Sequence, residues 1–100
     1  MALRHIVLFR VHDEVDELRI EQAMDSLRAL ARLPSVRSWS VARSLDERKG
    51  RIVIEDAAFD DAESFEVFRA SPEHVSATQT MAEIADWWVG DYVPTHFDVA

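Results

Sequence analysis

A histidine at the start of a predicted helix has the residue type and the position best suited to acid–base chemistry. Ser71 and Pro72 predict a helix start, because serine is a favoured N-cap and proline suits the first helical position. His74 then falls in the first turn, where the positive end of the helix dipole disfavours a protonated imidazole. A neutral imidazole accepts protons, so His74 is a candidate general base. The alternative is the commoner case: a structural histidine that completes the cap with Ser71.

His5 is a second histidine with a candidate role in a pocket. It lies on the first predicted strand and shares a face with Val7 and Phe9, because side chains alternate between the two faces of a strand. We therefore predict that these three side chains line one pocket. The alternative for His5 is a half-buried side chain whose ring is satisfied by a backbone group.

Glu55 is an acidic residue in the middle of a later predicted strand. It shares a face with Phe59, which should turn towards a helix. Glu55 would then be a buried carboxylate in need of a partner, either His5 or His74. Rotation of the strand would instead bring Asp56 inside and leave Glu55 in water. The sequence supports both arrangements equally.

The composition limits the classes of partner. Lys and Arg total 11 against 19 Asp and Glu, a formal net charge of −8, which argues against a nucleic-acid or anionic-membrane surface. The absence of cysteine excludes disulfides and thiolate metal sites. A metal site of His5, His74 and Asp91 has no supporting spacing motif, so we expect no metal there. We expect no other cofactor either. The apolar run near the N-terminus is too short for a signal sequence or a membrane span, which favours a cytoplasmic protein.

Hydrophobic periodicity predicts a single domain over residues 1–100 with the order strand, helix, strand, strand, helix and strand. The fifth element is broken in two at Ser71. The predicted segments are strand 3–11, helix 16–34, strands 36–45 and 51–59, helices 60–70 and 71–90, and strand 91–97. This βαββαβ order is typical of the α+β ferredoxin-like fold, in which a four-stranded antiparallel sheet carries its helices on one face.

The other face of the predicted sheet would be bare and apolar. Ile6 and Leu8 on the first strand have the same parity as Ile52 and Ile54 on the third. A second copy of the chain, related by a two-fold axis, is the simplest cover for such a face. We therefore predict a homodimer through the open face of the sheet.

Two adjacent tryptophans lie near the end of the last predicted helix. Aromatic side chains dominate burial in small domains, so both are better candidates for the core or the dimer interface than for ligand stacking. Of the two, Trp88 is the one that we place beside the pocket. Trp87 is expected at the surface or at the interface.

Three segments in this order resemble the stress-responsive A/B barrel (Dabb) family. They are the opening R-H-I-V-L-F-R, the junction from Phe68 to Val75 with its S-P-E-H-V, and the closing D-W-W-V-G-D-Y. The resemblance extends from about His5 to Tyr92. It implies a dimeric α+β barrel built from two ferredoxin-like subunits, and no particular activity, because fold alone does not fix function.

The resemblance also implies roles for individual residues. In a plant polyketide cyclase of this family, a histidine base closes a linear polyketide thioester by aldol condensation without a cofactor. That base corresponds to His74, the aspartate that orients it to Asp91, and a second pocket histidine to His5. The catalytic tyrosine of the cyclase falls on Phe68, so a phenolic hydroxyl is missing here.

Together these features predict a mainly apolar pocket for a small aromatic or polyketide-like carbonyl compound. Its apolar walls would be Val7, Phe9, Phe68 and Trp88. If the protein is an enzyme, the implied reaction is cofactor-free proton abstraction next to a carbonyl, with His74 as base and Asp91 as its orienter. The alternative is a non-catalytic stress or interaction module in which the barrel itself is the functional unit.

Overall fold

A four-stranded antiparallel sheet with its helices on one face forms the fold. The computed structural model describes residues 1–95. Its elements are β1 (Leu3–Val11), α1 (Glu17–Arg28), a 3-10 turn (Ala29–Arg32), β2 (Ser38–Arg43), β3 (Ile52–Phe59), α2 (Ala62–Ala70), α3 (Pro72–Ala82) and β4 (Ala85–Tyr92). The sheet order is β2-β3-β1-β4, which is the predicted ferredoxin-like arrangement. None of the helices within residues 1–95 has the length and hydrophobicity required to span a bilayer.

The two central strands determine which side chains face the helices. On β1 the odd-numbered residues are buried and the even-numbered ones are more exposed, as expected for a strand with one covered face. β3 alternates in the same way and buries Val53, Glu55, Ala57 and Phe59. Because β1 pairs with β3 on one side and β4 on the other, the residues at the centre of its inner face are surrounded by side chains from three strands.

The helices bury one face each against this sheet. α1 starts where the Asp16 carboxylate accepts a hydrogen bond from the backbone of Arg19, as a helix N-cap does. Its buried residues are Ile20, Ala23, Met24 and Leu27, and Leu30 continues the stripe. Ala31 has the spacing of the same stripe but is exposed, because the chain tightens into the 3-10 turn and changes period there.

The two helix starts after β3 are set by side-chain caps. α2 is capped by Asp61, whose carboxylate accepts a hydrogen bond from the backbone of Ser64, one residue after the predicted helix start at residue 60. α3 begins as predicted, with Ser71 as N-cap and Pro72 in the first turn.

The end of α3 and the start of β4 differ from the prediction. α3 ends at Ala82 and β4 begins at Ala85, whereas the sequence pattern extended the helix to residue 90. The spacing of Ala82, Ala85 and Trp88 suits a helix, but β4 pairs along nearly the whole of β1 and so satisfies backbone groups that a helix would leave unpaired. In the predicted last strand, His96 and Phe97 lie outside the described residues.

The outer face of the sheet carries an apolar patch without cover in the single chain. Leu8 is opposite Trp88 on β4 and Ile54 on β3. Leu8 is 41% exposed and Trp88 is 64% exposed. An ion pair between Arg4 and Asp56 borders the patch. The predicted bare face is therefore present, with Trp88 as a large additional member.

Candidate functional site

A cavity of about 350 Å³ lies between the inner face of the sheet and the helices. Much of its wall is apolar, including Val7, Phe9, Phe65, Met81, Trp87 and Val89. The polar and charged side chains that reach it are His5, Glu55, Arg69, His74, Thr78 and Asp91. A mostly apolar cleft with a few convergent polar groups is the usual form of a small-molecule site.

His5 lies between two carboxylates on the floor of this cavity. The strand register places it directly opposite Asp91, and its Nδ1 is 2.5 Å from the Asp91 Oδ1. Its Nε2 is 3.2 Å from the Oε2 of Glu55. His5 and Glu55 are 7% and 3% exposed, so the pair is buried. Because both ring nitrogens contact carboxylates, His5 has no nitrogen left to act as a base.

The inward position of Glu55 resolves the two arrangements that the sequence left open. Glu55 is on the covered face, and Asp56 is on the outer face with Arg4 as its partner. Burial of Glu55 is compatible with its charge because His5, one of the two partners predicted for it, lies beside it.

The surroundings of His5 favour its protonated form. Burial lowers the pKa of His5, but hydrogen bonds with Glu55 and Asp91 and the charges of both carboxylates outweigh burial, so the pKa is raised above its ordinary value of 6.5. A protonated His5 can donate both ring N–H groups, one to each carboxylate. The other cationic side chain at the cavity is Arg69.

The free energy of unfolding should fall as the pH rises through the folded-state pKa of His5. Because this pKa is raised in the folded chain, the stabilisation is fully present below about pH 6.5 and is lost above it. Urea unfolding at a series of pH values measures the loss, and NMR titration of the His5 ring measures the pKa. Asp91→Asn should lower the pKa of His5 and shift the loss of stability to lower pH.

The matched control for that titration is Asp86→Asn, which removes an exposed carboxylate of β4 that lies 3.6 Å from His12. It should leave the His5 titration in place. A wild-type His5 ring that titrates at or below 6.5 would contradict the prediction.

His74 reaches the cavity from the first turn of α3. Its backbone N–H donates to the Ser71 hydroxyl, and its ring Nδ1 is 3.1 Å from the carbonyl oxygen of Arg69. A carbonyl oxygen only accepts, so Nδ1 carries the proton and Nε2 of the neutral ring is an acceptor. This is the tautomer that a general base needs.

The partner predicted for His74 is corrected by the structure. Asp91 was expected to orient His74, but the pairing of β1 with β4 places Asp91 opposite His5, and its carboxylate hydrogen-bonds that ring instead. His74 is oriented by the backbone of Arg69 at the end of α2. A backbone group of this kind leaves no trace in the sequence, and no residue type could have predicted it.

Two predicted wall residues lie elsewhere. Phe68 is fully buried and is not part of the cavity wall. Its ring packs against the His74 ring, with centroids 4.6 Å apart. Trp88 is on the outer face of β4, and Trp87 lines the cavity beside Phe9, with ring centroids 5.5 Å apart. The exchange of the two tryptophans follows from the strand that replaces the predicted helix end. Val7 and Phe9 do line the cavity, and their contact with a ligand stays a prediction.

Several cavity residues escaped the sequence prediction. Trp87 and Val89 have the parity of Asp91, so an earlier start of β4 would have identified both. Arg69 and Thr78 had no distinguishing signal, because each is a polar residue on an amphipathic helix. Within residues 1–95, no three acidic or histidine side chains are arranged to hold a metal ion.

Residues 3–94 match the family model of the stress-responsive A/B barrel domain. The chain belongs to the stress-responsive A/B barrel (Dabb) family. The resemblance inferred from three short segments is thereby confirmed. None of the curated proteins searched matches the sequence.

Solved structures share this Dabb fold. A dimeric ferredoxin-like protein of unknown function from Thermobifida fusca is 25% identical, with a TM-score of 0.84 over 94% of this chain and 92% of that chain. The hydroxynitrile lyase of Passiflora edulis is 20% identical, with a TM-score of 0.79 over 95% and 94%. SnoaB, a cofactor-independent oxygenase from Streptomyces nogalater, is 18% identical, with a TM-score of 0.79 over 95% and 94%. At these identities the two enzymes support the fold alone.

Proposed function

We propose that this Dabb domain binds a small, largely apolar carbonyl compound in the cavity and removes a proton from the carbon next to the carbonyl. The observation that carries the proposal is the hydrogen bond from His74 Nδ1–H to the Arg69 carbonyl oxygen, which makes Nε2 the acceptor at a residue of the cavity wall. A base positioned in this way contributes roughly 10²- to 10⁴-fold in rate.

The proposed step balances without a cofactor. The C–H bond of the substrate breaks, its proton forms an N–H bond at His74 Nε2, and the electron pair moves to the carbonyl oxygen as an enolate. Arg69 and Thr78 line the same cavity, and their guanidinium and hydroxyl groups are donors that could stabilise an enolate oxygen. The apolar walls would exclude water and strengthen those interactions.

Replacing His74 with Ala should slow proton exchange about 10²-fold or more relative to the wild type. The measurement is NMR of hydrogen–deuterium exchange at the α-carbon of phenylacetone in D2O, with protein-free buffer as the baseline. His12→Ala is the matched control, because His12 is a partly exposed histidine that is not part of the cavity wall. Exchange no faster than in buffer with wild-type protein, or equal exchange with His74→Ala, would contradict the proposal.

A non-catalytic module is the second candidate, and one observation favours it. His74 fastens α2 to α3: its backbone donates to Ser71, its ring packs on Phe68, and Nδ1 donates to the Arg69 carbonyl. These contacts give the residue a structural role without any ligand. In that case His74→Ala would lower the melting temperature, and neither ligand binding nor exchange would depend on the residue.

The proposed functional unit is a homodimer through the outer face of the sheet. Support comes from the exposed patch that includes Leu8 and Trp88, and from the dimeric state of the Thermobifida fusca neighbour. A two-fold contact would place the same patch on both subunits. A cytoplasmic location stays a prediction.

A further inference from the structure

Glu55 is a buried carboxylate whose hydrogen-bonding capacity is mostly unfilled. It lies at the centre of the sheet, paired across the strands with Val7 on β1 and Val41 on β2. Its side chain is 4% exposed, and within residues 1–95 its polar contact is with His5 Nε2. The two valine side chains have no donor to offer.

A carboxylate in this position is short of donors. Its two oxygens offer about four acceptor positions, and His5 fills one of them. Buried charges in folded proteins are normally satisfied by several hydrogen bonds, because an unmade one is costly. Glu55 also forms part of the cavity wall, so a donor can approach it from the cavity.

We propose that Glu55 accepts a hydrogen bond from a hydroxyl group of the bound compound, so that the pocket selects hydroxylated carbonyl compounds. Glu55 is then a specificity-determining residue, separate from His74, which acts on the C–H bond. The inference rests on the proposed function for the existence and class of the ligand. It adds the second functional group that the ligand carries.

The apolar wall of the cavity favours a neutral donor over an ammonium group. The charged side chains of the wall are His5, Arg69, Glu55 and Asp91, and Arg69 is already paired with Glu66 at 3.1 Å. An ammonium group would have to lose its hydration among apolar side chains, and such a charge is expensive to desolvate. A hydroxyl supplies the missing donor at a lower desolvation cost.

The test compares acetophenone with its ortho, meta and para hydroxyl isomers as probes of the full chain. NMR titration measures the dissociation constant of each, and the readout is the affinity ratio between each isomer and acetophenone within one variant. In the wild type, at least one isomer should bind about tenfold more tightly than acetophenone, because hydrogen bonds to charged acceptors are the strong ones.

Two substitutions of Glu55 should reduce that affinity ratio, Glu55→Gln in part and Glu55→Met further. Glu55→Gln keeps an acceptor oxygen but removes the charge, so the ratio should fall; Glu55→Met removes the acceptor, so the ratio should approach one. Asp56→Asn is the matched control, since it removes the adjacent carboxylate on the outer face and should leave the ratio unchanged. If Glu55→Met does not fold, the smaller decrease in Glu55→Gln still decides the question.

The outcomes separate this inference from the function on which it rests. If acetophenone binds and every hydroxyl isomer binds equally well, the role of Glu55 is overturned and the carbonyl pocket stands. A preference for hydroxyl that survives in both Glu55 variants overturns it as well. If none of the four compounds binds the wild type, the ligand class of the proposed function fails and this inference fails with it.

Discussion

Replacing His5 with Leu should lower the free energy of unfolding by about 3–5 kcal/mol, because it leaves Glu55 as a buried charge without a partner. His5 is the polar contact of Glu55 within residues 1–95, and the carboxylate is 3% exposed, so little water can replace the lost partner. Urea unfolding at neutral pH measures the change.

The double variant His5→Leu, Glu55→Leu should recover most of that loss. Apolar residues that replace a whole buried ion pair are often neutral or stabilising, whereas removal of one partner is not. His12→Leu is the control: this histidine is half-buried at the surface near Glu14 and Asp86, and its loss should cost within about 0.5 kcal/mol. A single variant that loses under about 1 kcal/mol, or a double variant no more stable than the single, would show that the pair does not control stability.

The second large effect is expected on assembly. Leu8→Glu should convert a homodimer into monomers at micromolar concentration, because two-fold symmetry places the new charge at the interface twice. Burying such unpaired charges costs several kcal/mol, and about 3 kcal/mol corresponds to more than 100-fold in the dissociation constant. Size-exclusion chromatography with light scattering measures the mass.

The matched control for this experiment is Leu18→Glu. Leu18 is 69% exposed on α1, on the helical side of the molecule, so its substitution introduces the same charge away from the proposed interface. The control should remain dimeric. A monomeric wild type, or a dimer that Leu8→Glu leaves intact, would count against an interface on the outer face.

The sequence predicted the fold because its strongest patterns are local. The alternation along β1 and the stripe of α1 are periodic signals that packing preserves, and the Ser71 cap is a contact between residues close in sequence. The helix prediction for residues 83–90 was wrong because their apolar spacing suits both a helix and a strand. The partner strand decided between them, and that information is not local.

The candidate site was predicted in its residue types more than in its contacts. His5, Glu55, His74 and Asp91 do meet at one cavity, but which pairs form depends on register and on a backbone carbonyl. A one-residue change of register would reverse every side chain of a strand, so parity alone left Glu55 and Asp56 undecided. The pairing of β3 with β1 decides that Glu55 faces the interior.

Ser71 is the whole connection between α2 and α3, which limits how the site can vary. Its hydroxyl donates to the Phe68 carbonyl of one helix and accepts from the His74 backbone of the next. The distance between the Arg69 carbonyl and the His74 ring is therefore set by a corner of a single residue. An insertion at this corner would separate the base from the group that fixes its tautomer, whereas the charged turn between β2 and β3 can change length without reaching the cavity. Insertions and deletions among related chains should thus occur in the turn between β2 and β3 and be rare at Ser71.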